Sequence, residues 1–413
     1  MTITSSPAAD GLLLQILLTP EGRGDPYPLY DEMRELAPVA RTAFGPLVVT
    51  GYDDCLAVLR DPRFGRGMAG DGDALSLLGG ASVDRVKIFE LSRDNMLLAD
   101  PPDHTRLRKL VSRAFTPRQV DRLRPAVKAL VDDLLDGLAE TVRVDFMSDF
   151  ALPLPMSVIG ELVGVPTSDR ADLQPVIRAV AKGIEPILTD EEAAEAVAAI
   201  GQLDEYFGEL LAARRRQPQD DLMSGLAQAK ENDDRLTDNE ILSTATLLFA
   251  AGFETTTNLL GNGLLALLQH PDQMARWRQS PELAGTAVEE LLRWDSPVQM
   301  NLRAALEPIE FHGETLEPGV RVIVLQGAAN RDPRRFPDPN VLDLVRQNNT
   351  PLSFGWGVHH CIGAGLARME AEIALAELLQ RFSSIEHLDD PPAWRESFTL
   401  RGLLNFPISV TSN

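Results

Sequence analysis

Cysteine is nearly absent from this chain: 413 residues contain two, Cys55 and Cys361. Two thiols cannot build a disulfide framework, which excludes the small secreted scaffolds and points to a reducing, cytoplasmic setting. Positive charge is also scarce. Lys and Arg together number 39 against 61 Asp and Glu, a formal net charge of −22. A chain this acidic is a poor ligand for nucleic acid or for an anionic membrane surface. No apolar run reaches the length of a bilayer span. Residues 11–18 come nearest, but they are short, interrupted by Gln15, and preceded by no basic stretch; they read as a helix or tail docking on the body rather than as a membrane anchor. There is no internal repeat and no low-complexity tract. What remains is an ordinary globular composition, 44% hydrophobic and 24% charged, at a length that suits one large or two intimately fused domains.

Against that background one stretch organises the rest: Phe354-Gly355-Trp356-Gly357-Val358-His359-His360-Cys361-Ile362-Gly363. It sets a single cysteine among glycines, directly before a helical apolar pattern of Leu366, Ala367, Met369, Ile373, Ala374 and Leu378. The glycines permit backbone shapes and close approaches that a side chain would block. The spacing puts Cys361 at the N-terminal mouth of that helix, where N–H groups and the positive dipole end favour a thiolate. A thiolate with open space before it is what the iron of a flat macrocycle needs as axial ligand. The plain alternative is a small buried hydrophobe beside turns. A zinc site is a poor fit, because His359, His360 and Cys361 are consecutive and Cys55 has no partner motif. Covalent haem attachment is not indicated, since no Cys-x-x-Cys-His occurs.

A second irregularity lies inside a long helical run that starts at Leu236-Thr237-Asp238-Asn239-Glu240 and continues to about Gln269, roughly 50 Å at 1.5 Å per residue. Its middle reads Ala250-Ala251-Gly252-Phe253-Glu254-Thr255-Thr256-Thr257-Asn258. Glycine costs about 1 kcal/mol there, and consecutive threonines are poor helix formers. An acid and hydroxyls inside a buried helix are costly unless they bind something. Either they lie on an exposed face or bond back to their own helix, or they mark function.

Two weaker signals accompany these. In Asp100-Pro101-Pro102-Asp103-His104-Thr105-Arg106-Leu107-Arg108, His104 and Arg108 are four apart and share a helical face. Two donors there suit an anionic group; with Arg106, Lys109 and Arg113 nearby, a solvated basic helix start is the other reading. Glu290-Leu291-Leu292-Arg293 can pair on one face, an arrangement worth only about 0.3 kcal/mol when exposed.

Elsewhere, residues 39–42 and 47–50 read as strands turned by Phe44-Gly45-Pro46, with helices from Tyr30 to Leu36 and over 52–60. Residues 65–98, rich in Gly, Ala and Asp, are either a functional lid or a surface loop. The interval 117–230 is overwhelmingly helical, with two helices in 169–216 joined around 185–190 and capping signals at Thr167-Ser168-Asp169 and Thr189-Asp190-Glu191-Glu192. Phe311-His312-Gly313-Glu314 signals a hairpin.

The cysteine stretch matches Phe-x-x-Gly-x-x-x-Cys-x-Gly at every fixed position, and so resembles the haem-binding loop of the cytochrome P450 superfamily. The long helix is similar to that family's Gly-x-Asp/Glu-Thr-Thr helix, and Glu290–Arg293 to its Glu-x-x-Arg. Five motifs occur in the family's order over residues 100 to 363, and the likeness extends over nearly the whole chain.

The resemblance implies a mainly α fold, a helical triangular prism with a small β-rich lobe and a long central helix over the haem. It implies one domain over 1–413, with the sheet lobe at about 25–65 plus 300–330 and the haem-binding body at about 66–299 and 331–413. It implies non-covalent haem b (iron protoporphyrin IX) on Cys361, within a loop that includes Phe354 and Gly363, and propionate contacts from His104, Arg108, Arg303 and His359. Gly252 would leave room for dioxygen, Glu254 and Thr255 would support proton delivery, and Glu290 with Arg293 would lock the fold behind the loop. Ala251, Val298, Met300 and Leu403 would line the substrate cavity.

The implied activity is that of a soluble bacterial monooxygenase, which uses O2 to hydroxylate or epoxidise an apolar small molecule such as a polyketide, terpenoid, steroid or fatty acid. With no flavin or nicotinamide-binding domain in the chain, electrons would come from a separate ferredoxin and ferredoxin reductase. That ferredoxin would dock through Arg106, Lys109, Arg113, Arg334 and Arg335. Haem-thiolate proteins that do not oxygenate, and haem sensors, are the alternatives that Glu254-Thr255 disfavours. One departure is Pro351, where many bacterial relatives have His.

Overall fold

The computed structural model describes residues 3–67, 83–92, 94–140, 143–231, 234–388 and 392–413. Of the 65–98 interval left open above, residues 68–82 and 93 lie outside the described residues, and Val83–Leu91 is a helix. The chain forms two compact units, one of Met1–Phe64, Asp121–Leu154 and Thr255–Asn413, the other of Gly65–Val120 and Pro155–Glu254.

The first unit carries the main sheet. Val39–Arg41 and Leu47–Val49 form the expected antiparallel pair, with Val39 opposite Val49. Leu47–Val49 then runs parallel to Arg321–Leu325, which pairs antiparallel with Met300–Ala305 and sets Val322 opposite Arg303. These central strands are buried and rich in β-branched residues, as strands covered on both faces are. Ile309–Phe311 and Glu314–Leu316 make the hairpin signalled by His312-Gly313, both of which take positive φ. A continuous core joins Val39, Leu47, Val49, Tyr52, Cys55, Val58, Val322, Val324, Phe336 and Leu352, with Trp356 packed on its edge. The sheet and the helix Tyr52–Arg60 thus form the bed on which the cysteine loop rests.

The apolar 11–18 stretch lies in the helix Pro7–Leu18, capped by Ser6 and burying Leu13, Ile16 and Leu17. The helix expected from Tyr30 begins three residues earlier, at Tyr27, because Pro28 is compatible with a first helical turn. The 117–230 interval is less uniformly helical than its pattern suggests. A short strand, Val144–Asp145, joins Pro407–Ser412, and Met147–Ala151 is a π-helical turn ahead of the helix Pro153–Val163.

In the second unit the helices Thr167–Lys182 and Asp190–Arg216 pack together, and Tyr206 donates to Asp169 across them at 2.8 Å. Thr189 and Glu192 form a reciprocal capping box. The cap expected at Thr167-Ser168-Asp169 is not made. Pro166 precedes that helix, and the Ser168 hydroxyl donates to Asp169 instead of receiving a backbone N–H. The long helix runs Asp238–Gln269, opened by a capping exchange between Thr237 and Glu240. Among the described residues no single helix is long and apolar enough to cross a membrane.

Candidate functional site

The cysteine loop is held at both ends. The Leu352 N–H donates to Asn330 Oδ1 at 2.7 Å, and the Ser353 hydroxyl donates to the Leu292 carbonyl at 2.7 Å. Gly355 and Gly357 then adopt φ +65° and +70°, in the left-handed region that glycine takes without strain. At Gly357 the requirement is double, because a Cβ would lie 2.4 Å from the Leu59 carbonyl oxygen of the helix beneath. The Cys361 N–H donates to the Phe354 carbonyl at 2.9 Å and closes the loop. The Arg368 guanidinium lies 4.4 Å over the Phe354 ring and pairs with Glu289.

Cys361 ends on the exposed side of this loop, three residues before the helix Ala364–Arg381, with a Cβ on Gly363 falling no nearer than 4.0 Å to its sulfur. Cys55 contrasts with it: fully buried in the core, its thiol is pushed well above the usual range by burial. Only Cys361 is available to a ligand-bound metal. Among the described residues no group of three or more His, Cys, Asp or Glu could hold a bare ion.

His359 is half-buried on the same loop, and Arg303 is buried in the central strand, where it donates to the Leu302 carbonyl and Asn301 Oδ1. In the second unit His104 is buried and Arg108 half-buried, both on the helix Asp103–Val111. These four are the donor types that a pair of carboxylates requires.

The long helix carries the irregular segment as a regular helix. Ala251 is exposed in mid-helix, and Leu247 and Thr255, four residues to either side, are half-buried, whereas Phe253, Thr256, Thr257 and Asn258 are buried. An open stripe centred on Ala251, widened by the half-buried Ala250 and Gly252, therefore runs along this part of the helix, and Thr255 lies on it. Glu254 is buried. Gly252 has a steric cause that the sequence did not show: a Cβ there would fall 2.7 Å from Ile159 Cγ1.

Among the residues expected to line a cavity, Val298 is half-buried and bridges to Leu400, while Met300 and Leu403 are buried.

Glu290 and Arg293 are not the weak surface pair that spacing alone suggests. Both are fully buried and joined by two hydrogen bonds of 2.7 Å. Arg293 also donates to the carbonyls of Asn330, Pro339 and Val341. Glu290 also accepts from Arg346, Asn349 and the Asp343 N–H. Sequence reading missed Arg346 and Asn349, which lie more than fifty residues away with no spacing to connect them. It also missed Asp295 and Arg401, paired at 2.7 Å under Tyr27.

Three of the five expected docking cations also make contacts within the chain. Arg106 is held by Glu240 and Arg334 by Asp332, while Arg335 donates to the Asn348 carbonyl and the Thr350 hydroxyl and stacks on Tyr52. Each of these three is first a structural contact.

A glycine-shaped loop presenting one thiol, and a long helix bearing Gly252, Glu254 and Thr255, define the class of haem-thiolate oxygenases. Comparison with known proteins agrees: the family description "Cytochrome P450" matches residues 85–407. The polyketide biosynthesis cytochrome P450 PksS of Bacillus subtilis is 38% identical, with 96% of this chain and 99% of that protein aligned. The monooxygenase PikC of Streptomyces venezuelae is 41% identical over 93% of this chain and 91% of its own. Among solved structures, P450BioI in complex with an acyl carrier protein ligated to hexadec-9Z-enoic acid superposes with a TM-score of 0.88. It is 39% identical, covering 94% of this chain and 99% of that one. The chain belongs to the cytochrome P450 family, has its fold, and is a monooxygenase of the haem-thiolate kind.

Proposed function

We propose that Cys361 is the axial ligand of a non-covalent haem b, and that the enzyme hydroxylates or epoxidises an apolar small molecule of polyketide or fatty-acyl type in the cytoplasm. The observation that carries this reading is the exposed Cys361 sulfur on a loop whose glycines at 355 and 357 both require positive φ. Haem bound there supplies dioxygen activation and insertion of one oxygen atom into a C–H or C=C bond. The chain does the rest. His104, Arg108, Arg303 and His359 neutralise the propionates and orient the macrocycle. Glu254 takes protons from solvent, and the Thr255 hydroxyl, on the open stripe of the helix, hands them on; Ala251 beside it leaves space for substrate.

The balance is substrate, O2, two electrons and two protons in; oxygenated product and water out. The electrons come from a ferredoxin and its reductase. The substrate class rests on the names of the relatives, with PksS a polyketide-pathway enzyme and P450BioI bound to an acyl carrier protein. The buried aliphatic Met300 and Leu403 suit such a chain.

The test is the absorption spectrum of dithionite-reduced protein with carbon monoxide, followed by turnover of fatty acids and macrolactones with ferredoxin, reductase and NADPH. A strongly red-shifted Soret band and oxygenated product are expected. An unshifted band removes Cys361 as thiolate ligand, and a shifted band without product from any apolar substrate removes the oxygenase reading.

A further inference from the structure

Beyond Thr255 the long helix carries a second polar feature that the proposed relay does not use. Asn258 is completely buried, and neither Nδ2 nor Oδ1 of its side chain has a hydrogen-bond partner among the described residues. One turn further on, Asn262 is 2% exposed; its Nδ2 donates to the Arg401 carbonyl at 3.1 Å, and its Oδ1 likewise has no partner. Positions 255, 258 and 262 follow the three- and four-residue spacing that places side chains on one helical face. Three orphaned amide atoms thus continue the face that begins with the Thr255 hydroxyl.

The wall opposite is backbone. A Cβ on Gly402 would lie 2.0 Å from Asn258 Oδ1 and 2.8 Å from Nδ2, so the carboxamide rests directly on the Gly402 main chain. That segment cannot collapse inward to satisfy it. The Arg401 N–H donates to the Pro297 carbonyl at 2.8 Å, and its guanidinium binds Asp295 at 2.7 Å and the Gly24 carbonyl at 2.9 Å while stacking 3.6 Å over Trp394. Buried amides left without partners are costly, and native proteins meet the cost with ordered water wherever two to four polar atoms converge. Asn258 Nδ2, Asn258 Oδ1 and Asn262 Oδ1, beside a main chain held in place, are such a set. An organic ligand is ill suited to so closed a site; a water molecule is not.

We infer that Asn258 and Asn262 hold ordered water against the Arg401–Gly402 main chain, and that this buried hydrated site extends the Thr255 hydrogen-bond relay along the helix. A carboxamide both donates and accepts, so it passes either sense of hydrogen bonding without itself changing charge. Asn258 is then a positioning residue: it fixes the water, and the water serves Thr255. The functional half of this inference rests on the proposed relay role of Thr255; the water site does not.

The test uses the haem-loaded full chain and three variants: Asn258→Leu, Asn258→Ser and Thr255→Ala. A high-resolution crystal structure of the parent protein should show water within hydrogen-bond distance of Asn258 Nδ2 or Oδ1, lost in Asn258→Leu and retained in Asn258→Ser. Product formed per NADPH should fall several-fold in Asn258→Leu, with a changed solvent deuterium isotope effect, and recover in Asn258→Ser. The carbon monoxide band and the substrate dissociation constant should stay as in the parent. No water at Asn258 in the parent overturns the site. Unchanged coupling and isotope effect in Asn258→Leu overturn its link to the relay. Unchanged coupling in Thr255→Ala would instead remove the relay itself and leave the water site standing. If Asn258→Leu does not fold, Gly402→Ala, which drives a methyl into the same carboxamide, should reproduce the loss of coupling; normal coupling there overturns the link equally.

Discussion

Arg293 and Glu290 share two 2.7 Å hydrogen bonds, Nε to Oε2 and Nη2 to Oε1, with neither side chain reaching solvent. Removing Arg293 takes from buried Glu290 the nearer of its two cations and leaves the carbonyls of Asn330, Pro339 and Val341 without that donor. Arg293→Ala should therefore cost about 3–5 kcal/mol and yield little haem-loaded protein, measured by thermal unfolding and by the ratio of Soret to protein absorbance. A variant with parent-like unfolding would show that Arg346, the second cation on Glu290, suffices alone.

The two cysteines should behave oppositely. Cys361→Ser should abolish the red-shifted carbon monoxide band and all turnover, because a hydroxyl is a weak substitute for thiolate at iron. Cys55→Ala should keep the band and lose only about 1 kcal/mol, the worth of one buried sulfur. A Cys55 variant that lost the band would reassign the ligand.

Thr255→Ala should sharply cut product per electron and release peroxide, because proton transfer in the reaction depends on a positioned donor. Reductase-driven NADPH consumption should persist. Oxygen-electrode and peroxide assays separate that outcome from a simple loss of activity.

Glu370, on the helix that follows the cysteine, is fully buried, and its carboxyl is pushed up to about 8 by burial. In the native state it keeps its proton between its ordinary titration range and pH 8, whereas the unfolded chain releases it. The unfolded state then binds fewer protons, so this group makes stability fall as pH rises across that window. The loss is roughly 3 kcal/mol by pH 7. Urea unfolding at intervals from pH 5 to 8 should show this slope, and Glu370→Gln should flatten it. An unchanged slope in the variant would place its source elsewhere.

Charge reversal at Lys109 and Arg113 should slow ferredoxin-driven reduction several-fold and weaken its salt dependence, as steering charges do. Stopped-flow reduction at two ionic strengths checks this. Rates indifferent to both residues would leave the docking surface without these two cations.

Much of this protein was legible along the chain because its signals are local. Gly355, Gly357 and Cys361 lie within seven positions; Thr189 and Glu192 are three apart; the long helix announces itself by its cap and apolar run. Local steric rules and helical periodicity decide such features, and neither depends on the fold. Tertiary structure alone decided the rest. Glu290–Arg293 has the same spacing as countless surface pairs, and only the arrival of Asn330, Pro339 and Arg346 makes it buried and costly to break. Gly252 reads as room for a ligand in the sequence and as room for Ile159 in the fold. Asn258 and Gly402, 144 positions apart, touch because Arg401 is tied to Asp295 and Asn262. The chain's short-range chemistry determined which side chains are unusual; which of them meet was decided by packing, since contacts between distant segments leave no periodicity to read.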